Sequence, residues 1–208
     1  MKKIMILFVI LSLSFSVVIP GAVPADPGSA KIALTKEKPI TVDMKEKSVS
    51  VLAQVNGKYF YQTTRHGVVF SGGSNGEKSV FRSYATHQDF YDALMKLGLK
   101  AGNNMTKENA EKTFVQGDLL EVTIAWEGAQ KEYALDEVIT DSNKKPLQIR
   151  FGGNLKNALQ FKTGCLLCLD SCPVGITSNA NYMMGAVEKR SAFSRETTRY
   201  CLPMDRWW

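Results

Sequence analysis

Three of the four cysteines lie close together in the sequence, at Cys165, Cys168 and Cys172, in a CxxCxxxCP pattern that ends at Pro173. A short segment of this kind can turn several sulfurs toward one point. Three kinds of chemistry use that arrangement: a metal or iron–sulfur centre, a disulfide that staples the fold, and a redox-active CxxC pair. The cysteine spacing is compatible with each of these three kinds of site and does not distinguish between them.

The iron–sulfur interpretation rests on the type and order of the ligands. Cubane clusters usually take four thiolates, and in bacterial ferredoxins a Cys-Pro pair ends the run of cysteines. CxxCxxxCP equals the last three cysteines of that pattern, so a fourth ligand has to come from elsewhere. The interpretation therefore expects a [4Fe–4S] cluster or a metal ion held by ligands from the following set: Cys165, Cys168, Cys172, Cys201 and His66.

The disulfide interpretation uses the same cysteines differently. Four cysteines in an exported chain are an even number and allow three pairings. One pairing joins two of the clustered cysteines and ties the third to Cys201, closing the tail onto the domain at about 3 kcal/mol. The protein would then be an extracytoplasmic binding module without catalytic activity. A reactive CxxC is the weakest alternative, because no helix follows Cys165-Leu166-Leu167-Cys168 to lower a thiol pKa.

The first residues have the pattern of a secretory leader. Met1-Lys2-Lys3 precedes an apolar run over residues 4–19, and Val23-Pro24-Ala25 supplies a cleavage site. The apolar run is shorter than the roughly 20 residues of a membrane-spanning helix. We therefore predict a Sec-type signal peptide over residues 1–25, an extracytoplasmic location in the periplasm or outside the cell, and no membrane span after cleavage. Export of an unfolded chain into an oxidising compartment argues against a cluster.

The remaining sequence predicts one domain of mixed secondary structure. Alternating apolar residues and turn signals indicate strands, and apolar residues with helical spacing indicate helices. An Asn56-Gly57 turn is expected to join the first two strands as a hairpin. The predicted strands cover residues 47–55, 58–61, 68–70, 119–126 and 147–151, and the predicted helices cover residues 87–97 and 106–113.

These elements are not arranged as a regular βαβ repeat. We therefore expect a single α+β domain with a largely antiparallel sheet, one or two helices, and a cysteine-rich loop near the C-terminal end. The domain is predicted at residues 39–185, after a mobile lead-in at 26–38 and before a basic, tryptophan-terminated tail at 186–208.

Several function classes find no support in the sequence. The net charge of +6 is spread over interspersed lysine and glutamate residues, which indicates a solvated surface and no nucleic-acid partner. The glycine-rich segment at residues 71–76 lacks the spacing of a phosphate-binding loop and predicts a plain turn. No hydrolase pattern is present. Asp170 is expected to cap the cysteine loop, and His87 to begin a helix without a functional role.

Four stretches together resemble the YdjY-like family of bacterial proteins: TRHGVVFSGGSNGEKS (64–79), FYDALMKLG (90–98), IRFGGNLK (149–156) and TGCLLCLDSCPVGITSNA (163–180). The resemblance covers roughly residues 45–182. It implies a ferredoxin-type iron–sulfur protein whose site residues are Cys165, Cys168 and Cys172. We therefore expect an exported electron carrier, not an enzyme, that passes electrons to a redox partner protein.

Overall fold

The computed structural model describes residues 2–8, 34–141, 145–186 and 190–192. This part of the chain forms twelve strands and three α-helices, with short 3₁₀ turns at Gly57–Phe60 and Gly76–Lys78. The strands are β1 (Lys2–Phe8), β2 (Ile40–Asp43), β3 (Ser48–Val55), β4 (His66–Phe70), β5 (Ser79–Ser83), β6 (Leu119–Trp126), β7 (Tyr133–Ala134), β8 (Ile139–Asp141), β9 (Ile149–Phe151), β10 (Cys165–Cys168), β11 (Thr177–Asn179) and β12 (Arg190–Ala192). The helices are α1 (His87–Lys96), α2 (Leu135–Val138) and α3 (Leu155–Phe161).

Ten of the strands form one curled, mostly antiparallel sheet. Its order is β1-β3-β5-β4-β10-β11-β9-β6-β7, with β2 beside β3 and a further pairing between β1 and β6. Strands β8 and β12 form a separate two-stranded sheet. The predicted single α+β domain with a largely antiparallel sheet is confirmed, and β10 lies between β4 and β11 inside that sheet.

The predicted leader contains β1, which pairs in parallel with both β3 and β6. Residues 9–33, which include the predicted cleavage site and most of the predicted lead-in, lie outside the described residues. Leader cleavage and export therefore stay predictions. Within the described ranges, no helix combines the length and apolar character needed to cross a membrane.

The apolar core follows the periodicity of the sequence. Every second residue of β3 from Val49 to Ala53 is buried, as is every second residue of β6 from Leu120 to Trp126, because successive side chains of a strand point to opposite faces. Leu52, Thr123 and Ala125 on the opposite faces are buried as well. Each such aliphatic side chain contributes about 1.5–3 kcal/mol when it is removed from water. The strands around β10 are thus held by a continuous hydrophobic core.

Helix α1 agrees with its prediction at both ends. The Thr86 side chain accepts a hydrogen bond from the backbone N–H of Asp89, and the Asp89 carboxylate accepts one from the backbone N–H of Thr86, which forms a capping box. Gly98 follows the helix with φ +70°, a conformation that glycine adopts without a steric penalty. Phe90 and Leu94 are buried, and the helix packs against β10.

The predicted hairpin around Asn56-Gly57 is wrong. The Asn56 side chain accepts a hydrogen bond from the Lys58 N–H and caps a 3₁₀ turn at Gly57–Phe60, where a strand was expected. Strand β3 instead pairs antiparallel with β2 and β5. Asparagine satisfies a helix start as well as it satisfies a tight turn, so the local pattern did not distinguish the two.

Two further sequence predictions are wrong. The expected helix at residues 106–113 is a series of turns, because Thr106 and Asn109 hydrogen-bond each other and no helical ladder continues from them. The expected cysteine-rich loop is in part a strand, since Cys165 and Cys168 are the ends of β10. Helix α3 was not predicted.

The glycine-rich segment at residues 71–76 holds the backbone that precedes β10. The N–H groups of Ser74 and Asn75 donate to the carbonyls of Lys162 and Thr163 at 3.1 and 3.3 Å. A Cβ atom at Gly73 would lie 2.5 Å from the Thr163 carbonyl oxygen. The segment is therefore a structural turn, as predicted, and its glycine permits a close backbone approach.

We expect Gly73→Ala to destabilise the protein by about 1–3 kcal/mol, because the added methyl group meets backbone atoms that cannot move aside. Gly57→Ala is the matched control. A Cβ atom at Gly57 would meet only the Phe60 ring at 3.6 Å, so the change should stay within about 0.5 kcal/mol. Urea unfolding followed by circular dichroism measures both. Equal stability of the two variants would contradict the packing described for Gly73.

Candidate metal centre

The pairing of β10 with β4 brings three ligand-type side chains together. Cys165 lies opposite Val69 and Cys168 opposite His66, with shifts in the register between them. In a regular strand, residues three apart point to opposite faces, whereas a bulge can re-aim a side chain. Here the donor atoms of His66, Cys165 and Cys168 all lie within 4.8 Å of one another. The irregular register therefore builds the centre.

The chain after Cys168 turns back on itself and adds the third cysteine. Residues 169–176 return the chain to β11, which runs parallel to β10. The Ile176 N–H donates to the Cys165 carbonyl at 3.2 Å, and the Asn154 amide donates to the Cys172 carbonyl at 3.3 Å. Cys172 packs in one buried cluster with Cys165 and Cys168. The three clustered cysteines thus converge, as the sequence predicted.

The three sulfurs are reduced and enclosed by protein. Cys165, Cys168 and Cys172 are free, and their exposed fractions are 0, 1 and 5%. No disulfide joins any two of them, so a staple within the cluster is not formed. Cys201 lies outside the described residues, and both of its predicted roles, as a fourth ligand and as a disulfide partner, stay predictions.

The pKa values of the neighbouring thiols Cys165 and Cys168 are shifted in opposite directions. The pKa of Cys165 is lowered to about 4, mainly by a hydrogen bond from Cys168 and also by His66, against the opposing effect of burial. The pKa of Cys168 is raised well above its usual value because its thiol bonds to Cys165 and Cys172 and is buried. The lowered pKa favours the thiolate form of Cys165, which is the form that binds metals.

Polar groups surround the Cys165 sulfur. The His66 Nδ1 atom and the Asn75 amide nitrogen each lie 3.9 Å from Cys165 Sγ. Both ring nitrogens of His87 are buried and have no hydrogen-bond partner among the described residues. Burial lowers the pKa of His87, against the opposing charges of Cys165 and Asp89, so the neutral imidazole is favoured there.

A half-buried ion pair lies beside the cysteines. The Arg65 guanidinium meets the carboxylate of Asp170 at 2.7 Å, and Asp170 is fully buried. Burial lowers the pKa of Arg65, but the charges of Asp170, Cys172 and Cys168 raise it, and the net shift is upward. For Asp170, burial raises the pKa more than Arg65 lowers it. Arg65 thus supplies positive charge near two of the three sulfurs.

Asp170 also accepts a backbone N–H, but the donor is Gly185 at 2.9 Å, which lies outside the cysteine loop that Asp170 was expected to cap. The sequence did not predict its partner, Arg65, although Arg65 directly precedes His66. An arginine next to a candidate ligand is a weak signal, because arginine is common on strand ends. Of the predicted ligands, the structure brings together His66 and the three clustered cysteines.

Comparison with known proteins identifies the family. A family model described as the YdjY domain matches residues 40–205. The chain belongs to the YdjY family. The chain is 51% identical to a protein of Escherichia coli (strain K12) described as "Uncharacterized protein YdjY". The match spans 172 residues, which are 83% of this chain and 76% of the relative. No solved structure matches at a significant level. The matched residues of the YdjY domain include Cys201.

We expect Arg65→Met to destabilise the protein by about 2–4 kcal/mol, because it leaves the buried Asp170 carboxylate without its cation. In an Asp170→Asn background the same change should cost less than about 1 kcal/mol, since no charge is then left unpaired. Urea unfolding of the metal-free proteins provides this double-mutant cycle.

Arg82→Met is the matched control for this prediction. Arg82 is as exposed as Arg65, at 32 against 31%, but its partner Glu77 is 76% exposed. An exposed pair contributes about 0–1 kcal/mol, so this variant should remain near the wild type. Similar losses of stability in the Arg65 and Arg82 variants would contradict the view that the buried Asp170 carboxylate depends on Arg65.

Proposed function

We propose that the protein binds a single metal ion through His66, Cys165 and Cys168, with Cys172 as the fourth ligand. The observation that carries the proposal is the separation of the donor atoms, all within 4.8 Å of one another. A tetrahedral ion with metal–sulfur bonds of about 2.3 Å places neighbouring sulfurs about 3.8 Å apart. The three donor atoms therefore need only small movements to share one ion.

The chemistry of the donor set indicates which ions fit. Thiolates and imidazole favour zinc, iron and copper(I) over magnesium or calcium, which take oxygen ligands. The cysteines are buried, and four protein ligands leave no position for a substrate. Such closed sites stabilise a fold or carry electrons, whereas catalytic metal sites keep an open position. This supports a metal-binding module without hydrolase activity.

An iron–sulfur cluster that transfers electrons to a partner protein is the second candidate. The three thiol groups and the Cys172-Pro173 sequence favour it. The compact donor set favours one ion, because a cubane binds each thiolate to a different iron and so holds the sulfurs further apart. A single thiolate-bound iron would also carry an electron, whereas zinc would not. The extracytoplasmic location proposed from the leader would place that partner outside the cytoplasm.

Metal titration of the chelated, reduced protein tests the proposal. Cobalt(II) should bind at about one ion per chain and produce sulfur-to-metal charge-transfer absorption. Added zinc should then displace the cobalt and abolish this absorption. Cys168→Ser should weaken cobalt binding by more than about 100-fold, because it removes a metal ligand. Loss of a residue that only hydrogen-bonds to a ligand lowers metal affinity by about 10–100-fold. Cys201→Ser is the matched control and should keep wild-type affinity.

Each contrary result of this titration has a distinct meaning. Loss of binding in Cys201→Ser would contradict the proposed ligand set. More than one iron per chain together with acid-labile sulfide, after anaerobic purification, would favour the cluster. Fewer than four free thiols in the natively purified, chelated and denatured protein would favour the disulfide-stapled binding module. Absence of any thiolate-type cobalt spectrum would overturn the proposal.

A further inference from the structure

One buried hydroxyl next to the cysteines is unsatisfied. Ser178 on β11 is completely buried, and its Oγ atom finds no hydrogen-bond partner in the part of the chain that the structure describes. The other fully buried serines differ: Ser79, Ser83 and Ser171 each donate their hydroxyl to a backbone carbonyl. A buried hydroxyl without a partner is unfavourable, so a partner that arrives later would account for Ser178.

The position of Ser178 indicates which partner that is. Ser178 lies opposite Cys168 in the pairing of β11 with β10, and paired residues of adjacent strands point to the same face. A Cβ atom on Gly175 would lie 2.7 Å from Ser178 Oγ and 3.0 Å from Cys168 Sγ. Both atoms therefore lie against the Gly175 backbone, and they can approach it this closely because Gly175 has no side chain.

The state of the Cys168 sulfur explains why the hydroxyl is unsatisfied in the metal-free protein. A cysteine thiol is only a weak hydrogen-bond acceptor. Metal binding removes its proton and leaves a thiolate, whose negative charge makes it a good acceptor for a nearby hydroxyl donor.

We propose that Ser178 donates its hydroxyl hydrogen to the Cys168 thiolate when the metal is bound, and so tunes the centre as a positioning residue. The inference rests on the proposed function. Outer partners of this kind orient metal ligands and set their basicity, and hydrogen bonds to thiolate sulfurs set the potential of iron centres. The bond stabilises the metal-bound state of the protein. It also makes the Cys168 sulfur a weaker electron donor toward the metal.

The test compares Ser178→Ala with Ser79→Ala in the full chain. Ser79 is equally buried, but its hydroxyl contacts the Gly76 and Phe81 carbonyls at 2.8 and 2.9 Å. Each variant is titrated with cobalt(II), its charge-transfer band is recorded, and its melting temperature is measured with and without the metal. The metal-free measurement also establishes that each variant folds.

Ser178→Ala should weaken cobalt binding by about 10-fold or more and move the charge-transfer band to lower energy. Its effect on the melting temperature should change sign: unchanged or higher without metal, because an unsatisfied hydroxyl has gone, and lower with metal. Ser79→Ala should lower the melting temperature in both states and leave the band in place. A purely structural role for Ser178 would not produce this sign change.

Two outcomes would overturn the inference, and they are distinguishable. If the wild type binds cobalt through sulfur but Ser178→Ala has the same affinity, band and metal-bound melting temperature, only the role of Ser178 fails. If the wild type itself shows no sulfur-to-cobalt band, the proposed metal centre fails and the inference fails with it.

Discussion

Two shifts in the hydrogen-bond register between β4 and β10 turn Cys165 and Cys168 toward His66. With regular pairing the two sulfurs would lie on opposite faces of the sheet, and no ion could reach both. The neighbouring turns maintain this irregularity. The segment containing Gly73 fixes the backbone before β10, and Asn154 fixes the turn that carries Cys172. The candidate centre therefore depends both on the irregular pairing of β4 with β10 and on the turn that carries Cys172.

Burial and charge complete the arrangement. Three enclosed thiols cannot all ionise without compensation, because a buried charge is costly unless it is paired. A bound metal ion would supply that compensation, and Arg65 adds positive charge beside Cys168 and Cys172. Asp170 holds Arg65 in place from a fully buried position. The Arg65–Asp170 ion pair therefore lies where its positive charge can offset the negative charge of thiolate ligands.

The sequence predicted the composition of the site better than its architecture. The spacing of three cysteines is local, so their convergence could be predicted, as could the cap of α1 at Thr86. The strand character of β10 could not, because CxxC is compatible with loops and strands. Arg65 and Ser178 were missed since their roles depend on pairing across strands that are distant in the sequence. Asn56 was misassigned because turn and cap signals use the same residue type.

X-ray absorption of the metal-loaded protein tests the central claim most directly, because it measures the ligand shell without depending on any variant. The account predicts one ion with about three sulfurs near 2.3 Å and one nitrogen near 2.0–2.1 Å. A shell of only oxygen and nitrogen atoms, or a strong metal–metal vector from a cluster, would contradict a single ion held by His66 and the three clustered cysteines.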